Sequence, residues 1–252
     1  ALQTKKLPAL SFEKKIDPRN VARQITLLQN NGVQKTKKKI SKNIPIIGLT
    51  GTGGAGKSTV CDRLIQYFTI ANPSKTIAIV SIDPSKRKTG GALLGDRIRM
   101  NAINHSNVFM RSLATRTDKS SISDSIDNVI ALCKEEGFDA VIIETAGVGQ
   151  NDASIVDHVT VPVYVMTPEF GAPTQLEKIN MIDYAQIIAI NKFDRTGGLD
   201  AIIDVRKQFR RSHHSWNADA ATMPIFGTIA SNYNDPGIQA MYNCLVDIVN
   251  EQ

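Results

Sequence analysis

Cysteine and tryptophan are scarce in this chain, with three Cys and one Trp among 252 residues. Cys61, Cys133 and Cys244 lie far apart, form no C-x-x-C and fall on expected helices. That argues against a disulfide framework or a cysteine-based metal cluster, and reads as inert thiols in a reducing cytosol. No apolar run approaches the roughly 20 residues of a membrane helix, and no signal-like apolar region follows the amino terminus. No membrane partner and a cytoplasmic location are therefore expected. Internal repeats are lacking too. A hydrophobic fraction of 42% is ample for a core, and the length suits one large domain or a domain with a tail. The first residue, Ala1, reads as the product of processing or as the start of a segment cut from a longer chain.

The net charge of +6 is unevenly placed. Residues 1–42 hold nine lysines and two arginines against Glu13 and Asp17, an excess of nine positive charges. The remainder carries a small negative excess, so residues 43–252 are expected as the globular domain and 1–42 as a basic helical arm or linker. The densest stretch, Lys35-Thr36-Lys37-Lys38-Lys39, has no interleaved aromatics. It reads as a solvated linker rather than a nucleic-acid surface. Asp17-Pro18 has the form of an N-cap followed by proline at N1, and Val21, Ile25 and Leu28 recur at helical spacing. A helix here is expected to dock, either on this domain or on a neighbour.

Residues 51–58 read Gly51-Thr52-Gly53-Gly54-Ala55-Gly56-Lys57-Ser58, a complete G-x-x-x-x-G-K-[ST]. Glycines let successive N–H groups turn inward on phosphate oxygens; Lys57 then reaches the outer phosphates, and the Ser58 hydroxyl takes Mg²⁺. The apolar run from Ile44 to Ile47 precedes the loop and a helix from Ser58 to Ile70 follows, with Thr59 in its first turn. Thr52 stands where a subset of related ATPases carries a second lysine, which argues against that subset.

Beyond the loop, expected strands (Thr76–Ser81, Val108–Arg111, Val141–Ile143, Val159–Met166, Ile187–Ile190, Pro224–Phe226) alternate with helices (Asp118–Glu136, Leu199–Arg211, Pro236–Val249). The expected fold class is α/β, a mostly parallel sheet with helices on both faces. Ligands of such sheets sit at the carboxyl ends of the strands, and the remaining polar signals all fall there or in the loops that follow. Asn191-Lys192-Phe193-Asp194 has the form N-K-x-D. Asp194 can accept from the N1–H and exocyclic amine of guanine, a pattern adenine does not offer. Thr228 to Asn232, including Ser231, could direct N–H groups at the guanine carbonyl.

Mg²⁺ prefers about six oxygens; Ser58, Asp83, Asp96 and Glu144 are the candidates. Glu144-Thr145-Ala146-Gly147 stands where many guanine-nucleotide hydrolases carry D-x-x-G, and the Gly147 N–H can approach a γ-phosphate. The next residue is Val148 rather than a water-orienting glutamine, and Gln150 lies two further on. Slow intrinsic hydrolysis, completed by a partner, is the expectation.

Three stretches, Asp83-Pro84-Ser85, Thr89 to Met100 and Glu144 to Gln150, resemble the GTPase chaperones of adenosylcobalamin-dependent acyl-CoA mutases, the methylmalonyl-CoA mutase-associated group. Arg111 to Arg116 and Thr167 to Ala172 look closer to the form fused with an isobutyryl-CoA mutase. The resemblance covers roughly residues 44–250. It implies a P-loop (G-protein) fold and GTP/GDP with Mg²⁺ held by Ser58, Asp83, Asp96 and Glu144. It also implies a switch over Gly90–Met100, a mutase-sensing loop over Thr167–Lys178, and Lys178 as a contributor to hydrolysis. GTP turnover would gate adenosylcobalamin loading and protect a mutase partner, in cis or in trans; a homodimer is left open. Adenosylcobalamin itself would sit on the partner or another domain, since no D-x-H-x-x-G occurs here. His213-His214, beside Trp216, read as loop surface.

Three other classes stand against this. A metal-delivery GTPase would need Cys/His clusters, a small-molecule kinase is disfavoured by N-K-x-D, and a pure binding module is disfavoured by the intact Lys57, Ser58, Asp83 and Glu144.

Overall fold

The computed structural model describes residues 16–31, 43–84, 100–115, 119–145 and 152–252. Its strands are β1 (Ile46–Gly51), β2 (Ile77–Pro84), β3 (Val108–Thr115), β4 (Ala140–Thr145), β5 (Val161–Met166), β6 (Ile187–Asn191) and β7 (Ile225–Thr228). The helices are α1 (Pro18–Asn31), α2 (Lys57–Ala71), α3 (Lys119–Glu136), the single turn α4 (Pro173–Leu176), α5 (Gly198–Ser212) and α6 (Pro236–Glu251). The strands form one sheet in the order β3-β2-β4-β1-β5-β6-β7, every pairing parallel. Near-continuous apolar runs such as Ile187-Ile188-Ala189-Ile190 make such strands, because a parallel sheet is covered on both faces.

Side chains alternate between the faces with period two. Ile47, Leu49, Val163 and Val165 turn to the face covered by α2 and α6. Ile46, Val141 and Ile143 turn to the other face under α1 and α3; Tyr164, Met166, Ile188 and Ile190 do so under α5. α6 starts where Asp235 accepts from the Ile238 N–H at 2.9 Å with Pro236 at N1.

The helix expected from Asp17-Pro18 is α1, and it docks on this domain. Val21 and Ile25 are fully buried with residues of β2, β4 and α3. Gln24 donates to Glu136 of α3 at 3.1 Å. Arg111 of β3 donates to the Thr26 hydroxyl at 2.8 Å. The lysine run lies outside the described residues.

β3 is four residues longer than the expected Val108–Arg111. Polar Arg111, Ser112 and Thr115 break the apolar pattern, yet backbone pairing with β2 continues from Val108 to Thr115. β5 begins at Val161 instead of Val159. There the preceding residue Thr160 is occupied in tying its hydroxyl to the Ile46 N–H and its own N–H to the Ile46 carbonyl.

Candidate functional site

A parallel sheet places every strand's carboxyl end on one edge. On that edge lie the loop after β1, Glu144 near the end of β4, the turn after β5, Asn191 at the end of β6 and the loop after β7. Sequence spacing of about 140 residues is thereby reduced to hydrogen-bonding distance.

Gly51 ends β1 at φ 149°, and a Cβ there would lie 1.8 Å from the Val165 carbonyl oxygen. The Thr52 N–H donates to that same oxygen at 3.1 Å, so the loop is drawn tightly across β5. Gly56, at φ 87°, precedes α2, and its missing Cβ would lie 2.6 Å from the Asn191 amide nitrogen. Gly53 and Gly54 are exposed between these two clamps, while Ala55 is buried. The loop therefore delivers backbone N–H groups at the amino end of a 15-residue helix, where the helix dipole favours an anion. Lys57 is 7% exposed, its ammonium donating to the Gly51 and Thr52 carbonyls at 3.2 and 3.1 Å. Thr59 faces solvent.

Two of the four metal candidates meet directly. The Ser58 hydroxyl donates to Glu144 Oε1 at 2.6 Å, and Glu144 is 2% exposed. Register explains the meeting: Glu144 pairs with Leu49, two residues ahead of the loop. On the far side Glu144 pairs with Ser81, which places Asp83 two residues further along the neighbouring strand. The Asp83 side chain, Asp96, Gly147, Val148, Gln150 and nearly all of the Gly90–Met100 stretch lie outside what is described. Met100 itself is buried under the sheet.

Asn191 is the hub of the edge. Its amide nitrogen donates to the Ala55 carbonyl at 2.8 Å, and its Oδ1 accepts from the Ala230 N–H at 3.0 Å and the Thr228 hydroxyl at 3.2 Å. Lys192, at φ 57°, donates to the Gly54 carbonyl at 2.7 Å. Phe193 donates its N–H to the Thr228 carbonyl at 3.0 Å, and its ring fills the space that a side chain at Gly227 would need. These contacts fix the turn and leave Asp194 exposed at its tip. In the loop after β7 the Ala230 N–H is committed to Asn191 and the Asn232 N–H to the Ile229 carbonyl, and Ser231 between them is exposed.

The segment after β5 lies on the same edge. Glu169 is held down to about 2, first by the Thr167 hydroxyl and then by Arg195, whose guanidinium lies 2.8 Å away. Both side chains are half exposed, which limits such a pair to under about 1 kcal/mol. Lys178 is exposed beyond α4. His213 departs from the expected loop surface: it is half-buried, its ring stacked on Phe209 at 3.9 Å and its Nε2 2.9 Å from the Ile182 carbonyl. Its position one residue past a helix, four after Phe209, brings the two rings together.

Sequence reasoning missed Asp62 and Arg63 on α2. Asp62 is 4% exposed and accepts from the Ala102 N–H at 2.7 Å, anchoring the chain just past Met100. A carboxylate inside the apolar run of a buried helix was the available signal.

A profile described as "Methylmalonyl Co-A mutase-associated GTPase MeaB" matches residues 21–248. The fused isobutyryl-CoA mutase of Geobacillus kaustophilus is 50% identical over 249 residues, covering 94% of this chain and 23% of that protein. Its counterpart in Cupriavidus metallidurans is 53% identical over 237 residues, covering 91% and 22%. A Pyrococcus horikoshii protein described as a GTPase is 35% identical over 227 residues, covering 86% and 70%. The chain thus spans less than a quarter of the length of the fused relatives. Among solved structures, a LAO/AO transport system kinase has a TM-score of 0.64 at 21% identity, covering 93% of this chain and 72% of that one. The hydrogenase maturation factor HypB of Archaeoglobus fulgidus has 0.56 at 15%, covering 92% and 98%. These likenesses speak for the P-loop fold alone. With the family profile spanning the whole sheet and its carboxyl edge, the chain belongs to the MeaB family of methylmalonyl-CoA mutase-associated GTPases.

Proposed function

We propose that this chain is a GTP-hydrolysing chaperone module that gates adenosylcobalamin loading of an acyl-CoA mutase and protects that mutase, acting on it in cis or in trans. The nucleotide assignment rests on the Asn191 side chain, which ties the phosphate loop at Ala55 to the loop after β7 at Ala230. The mutase assignment rests on relatives that share half their residues with this chain and are named fused isobutyryl-CoA mutases.

The residues fit the nucleotide and its metal. Gly51 and Gly56 let the loop close onto β5 and Asn191, a side chain at Gly54 would meet nothing within 4 Å, and the Thr52 hydroxyl is buried with no partner among the described residues. Gly51, Gly53, Gly54, Ala55, Gly56, Ser58 and Thr59 would surround the phosphates, and Lys57 would exchange the Gly51 and Thr52 carbonyls for phosphate oxygens. Asp194 would select guanine from below while Asn191 and Lys192 hold the two loops together, with Ser231 over the guanine carbonyl. Ser58 and Glu144, joined by Asp83 and Asp96, would hold Mg²⁺, which when bound neutralises charge on the outer phosphate oxygens.

Gly147 would offer an N–H to the γ-phosphate. Val148 offers no group to orient water, so intrinsic hydrolysis is slow until the mutase engages Thr167–Lys178 and Lys178 contributes. Residues 1–42 lead in as an arm whose α1 is docked on the 43–252 domain, in a cytoplasmic protein that engages neither membrane nor nucleic acid.

The test is GTP and ATP hydrolysis with and without an isobutyryl-CoA mutase. GTP preference and stimulation by the mutase are expected. Indifference to every acyl-CoA mutase would remove the chaperone role while leaving the nucleotide site standing.

A further inference from the structure

Five residues after Ser58, α2 carries a guanidinium turned toward the other end of the nucleotide site. Arg63 Nε donates to the Ala230 carbonyl at 3.0 Å, and Nη2 approaches the Ser231 carbonyl at 3.4 Å. Its third arm, Nη1, donates to Gln66 Oε1 at 2.9 Å. Gln66 in turn donates to Asp62 Oδ2 at 3.1 Å, and Asp62 is buried and anchored by the Ala102 N–H. The guanidinium also lies 5.7 Å from the centroid of the exposed Tyr233 ring, within cation–π range. Arg63 is therefore oriented on three sides, by two loop carbonyls, by the Gln66–Asp62 chain and by an aromatic face. A fork of fixed geometry suits this task, since several donors are aimed by one planar group.

A peptide plane has two ends. Holding the Ala230 and Ser231 carbonyls fixes the direction of the N–H groups of the residues that follow each carbonyl, including that of Ser231. We propose that Arg63 is a positioning residue for guanine recognition: it orients the Ala230–Ser231 backbone so that an N–H meets the base carbonyl, and Gln66 and Asp62 hold it in that pose. The inference rests on the assignment of Asp194 and Ser231 to the base pocket, and it deepens that assignment. In this role Arg63 acts through the backbone it holds. One helix thus begins with the phosphate grip at Lys57 and Ser58 and carries the brace for the base grip less than two turns later.

The two halves of base recognition can be probed separately with nucleotides. In 6-thio-GDP the base carbonyl oxygen is replaced by a poorer acceptor while N1–H and the 2-amino group remain. IDP lacks only the 2-amino group, which would face Asp194. Dissociation constants of GDP, 6-thio-GDP, IDP and ADP are measured for the wild-type chain and for Arg63→Ala, Arg63→Lys and Gln66→Ala, with melting temperatures alongside.

Arg63→Ala is expected to weaken GDP about tenfold, the scale of one well-aimed hydrogen bond. It is also expected to erase most of the wild-type discrimination against 6-thio-GDP while leaving discrimination against IDP intact. Gln66→Ala shifts the same ratio less, and Arg63→Lys restores part of it. Equal weakening of all guanine-type nucleotides, or an unchanged 6-thio-GDP ratio in Arg63→Ala, would overturn the positioning role. A wild-type chain with no preference for GDP over ADP would instead remove the base-pocket assignment itself. If Arg63→Ala proves unstable, the ratio in Gln66→Ala alone decides the question.

Discussion

Replacing Asn191 by alanine tests whether the phosphate loop and the base loop are mechanically one unit. Asn191 is 3% exposed, and its side chain makes three hydrogen bonds, to Ala55, Ala230 and Thr228. Each such bond contributes about 1 kcal/mol net, and a buried group left unpaired costs about 1–3 kcal/mol. The Thr228 hydroxyl can rotate to another acceptor, whereas the Ala230 N–H and the Ala55 carbonyl are fixed by the backbone. The expected loss is about 3 kcal/mol, which for a chain of this size corresponds to a fall in melting temperature of about 6–12 °C. The comparison is Asp194→Asn. Asp194 is exposed at the tip of the same turn, so its stability change should stay within about 0.5 kcal/mol. Its specificity should nevertheless move, because an amide in place of the carboxylate can donate to a 2-oxo group and so favours xanthine over guanine nucleotides. Urea denaturation and thermal melts of both variants, without added nucleotide, give the contrast. Asn191→Ala melting within about 1 °C of the wild type would refute the argument that this side chain carries the junction.

Three further outcomes follow from the geometry. Glu144→Gln keeps the shape beside Ser58 but removes the charge, so the Mg²⁺ concentration needed to slow GDP release should rise about 10–100-fold; an unchanged Mg²⁺ response would take Glu144 out of the metal set. Ile25→Ala, at a fully buried site on α1, should cost about 2–4 kcal/mol in urea denaturation, and no shift would mean that α1 is not part of the cooperative fold. Burial pushes the Cys133 thiol up to about 12, with Glu136 adding to it, and burial also raises the Cys61 thiol well above its ordinary value, so a thiol reagent at pH 8 should react first with the partly exposed Cys244. Because the raised value favours the neutral thiol in the fold, the Cys133 contribution is whole below pH 9 and declines as pH climbs from there towards about 12. Rapid labelling of all three thiols in the native protein would contradict this.

The strands were legible because a parallel sheet buries them on both faces, and runs such as Val141-Ile142-Ile143 are β-branched throughout and too short for a helix. β3 was legible only in part, since an edge strand is held by backbone pairing that the side-chain pattern does not report. Glu144 and Asn191 were legible because each stands at a strand end, and Ser58 because it closes the phosphate-loop pattern that follows one, each with a spacing that chemistry demands. Arg63 was not, for a physical reason: its partners are carbonyls, and any residue type presents a carbonyl. Lys192 was marked by the N-K-x-D pattern, but its bond to the Gly54 carbonyl, which joins the base turn to the phosphate loop, was not, because that partner too is a carbonyl. Side chains that recognise a ligand must be of a particular type, so they leave a mark in the sequence. Side chains that aim the backbone need only reach it, and only the fold shows where they reach. In this site Asn191 and Lys192 at the end of β6 and Arg63 on α2 close onto backbone of other segments, so the two grips on the nucleotide are held by contacts that no single segment contains.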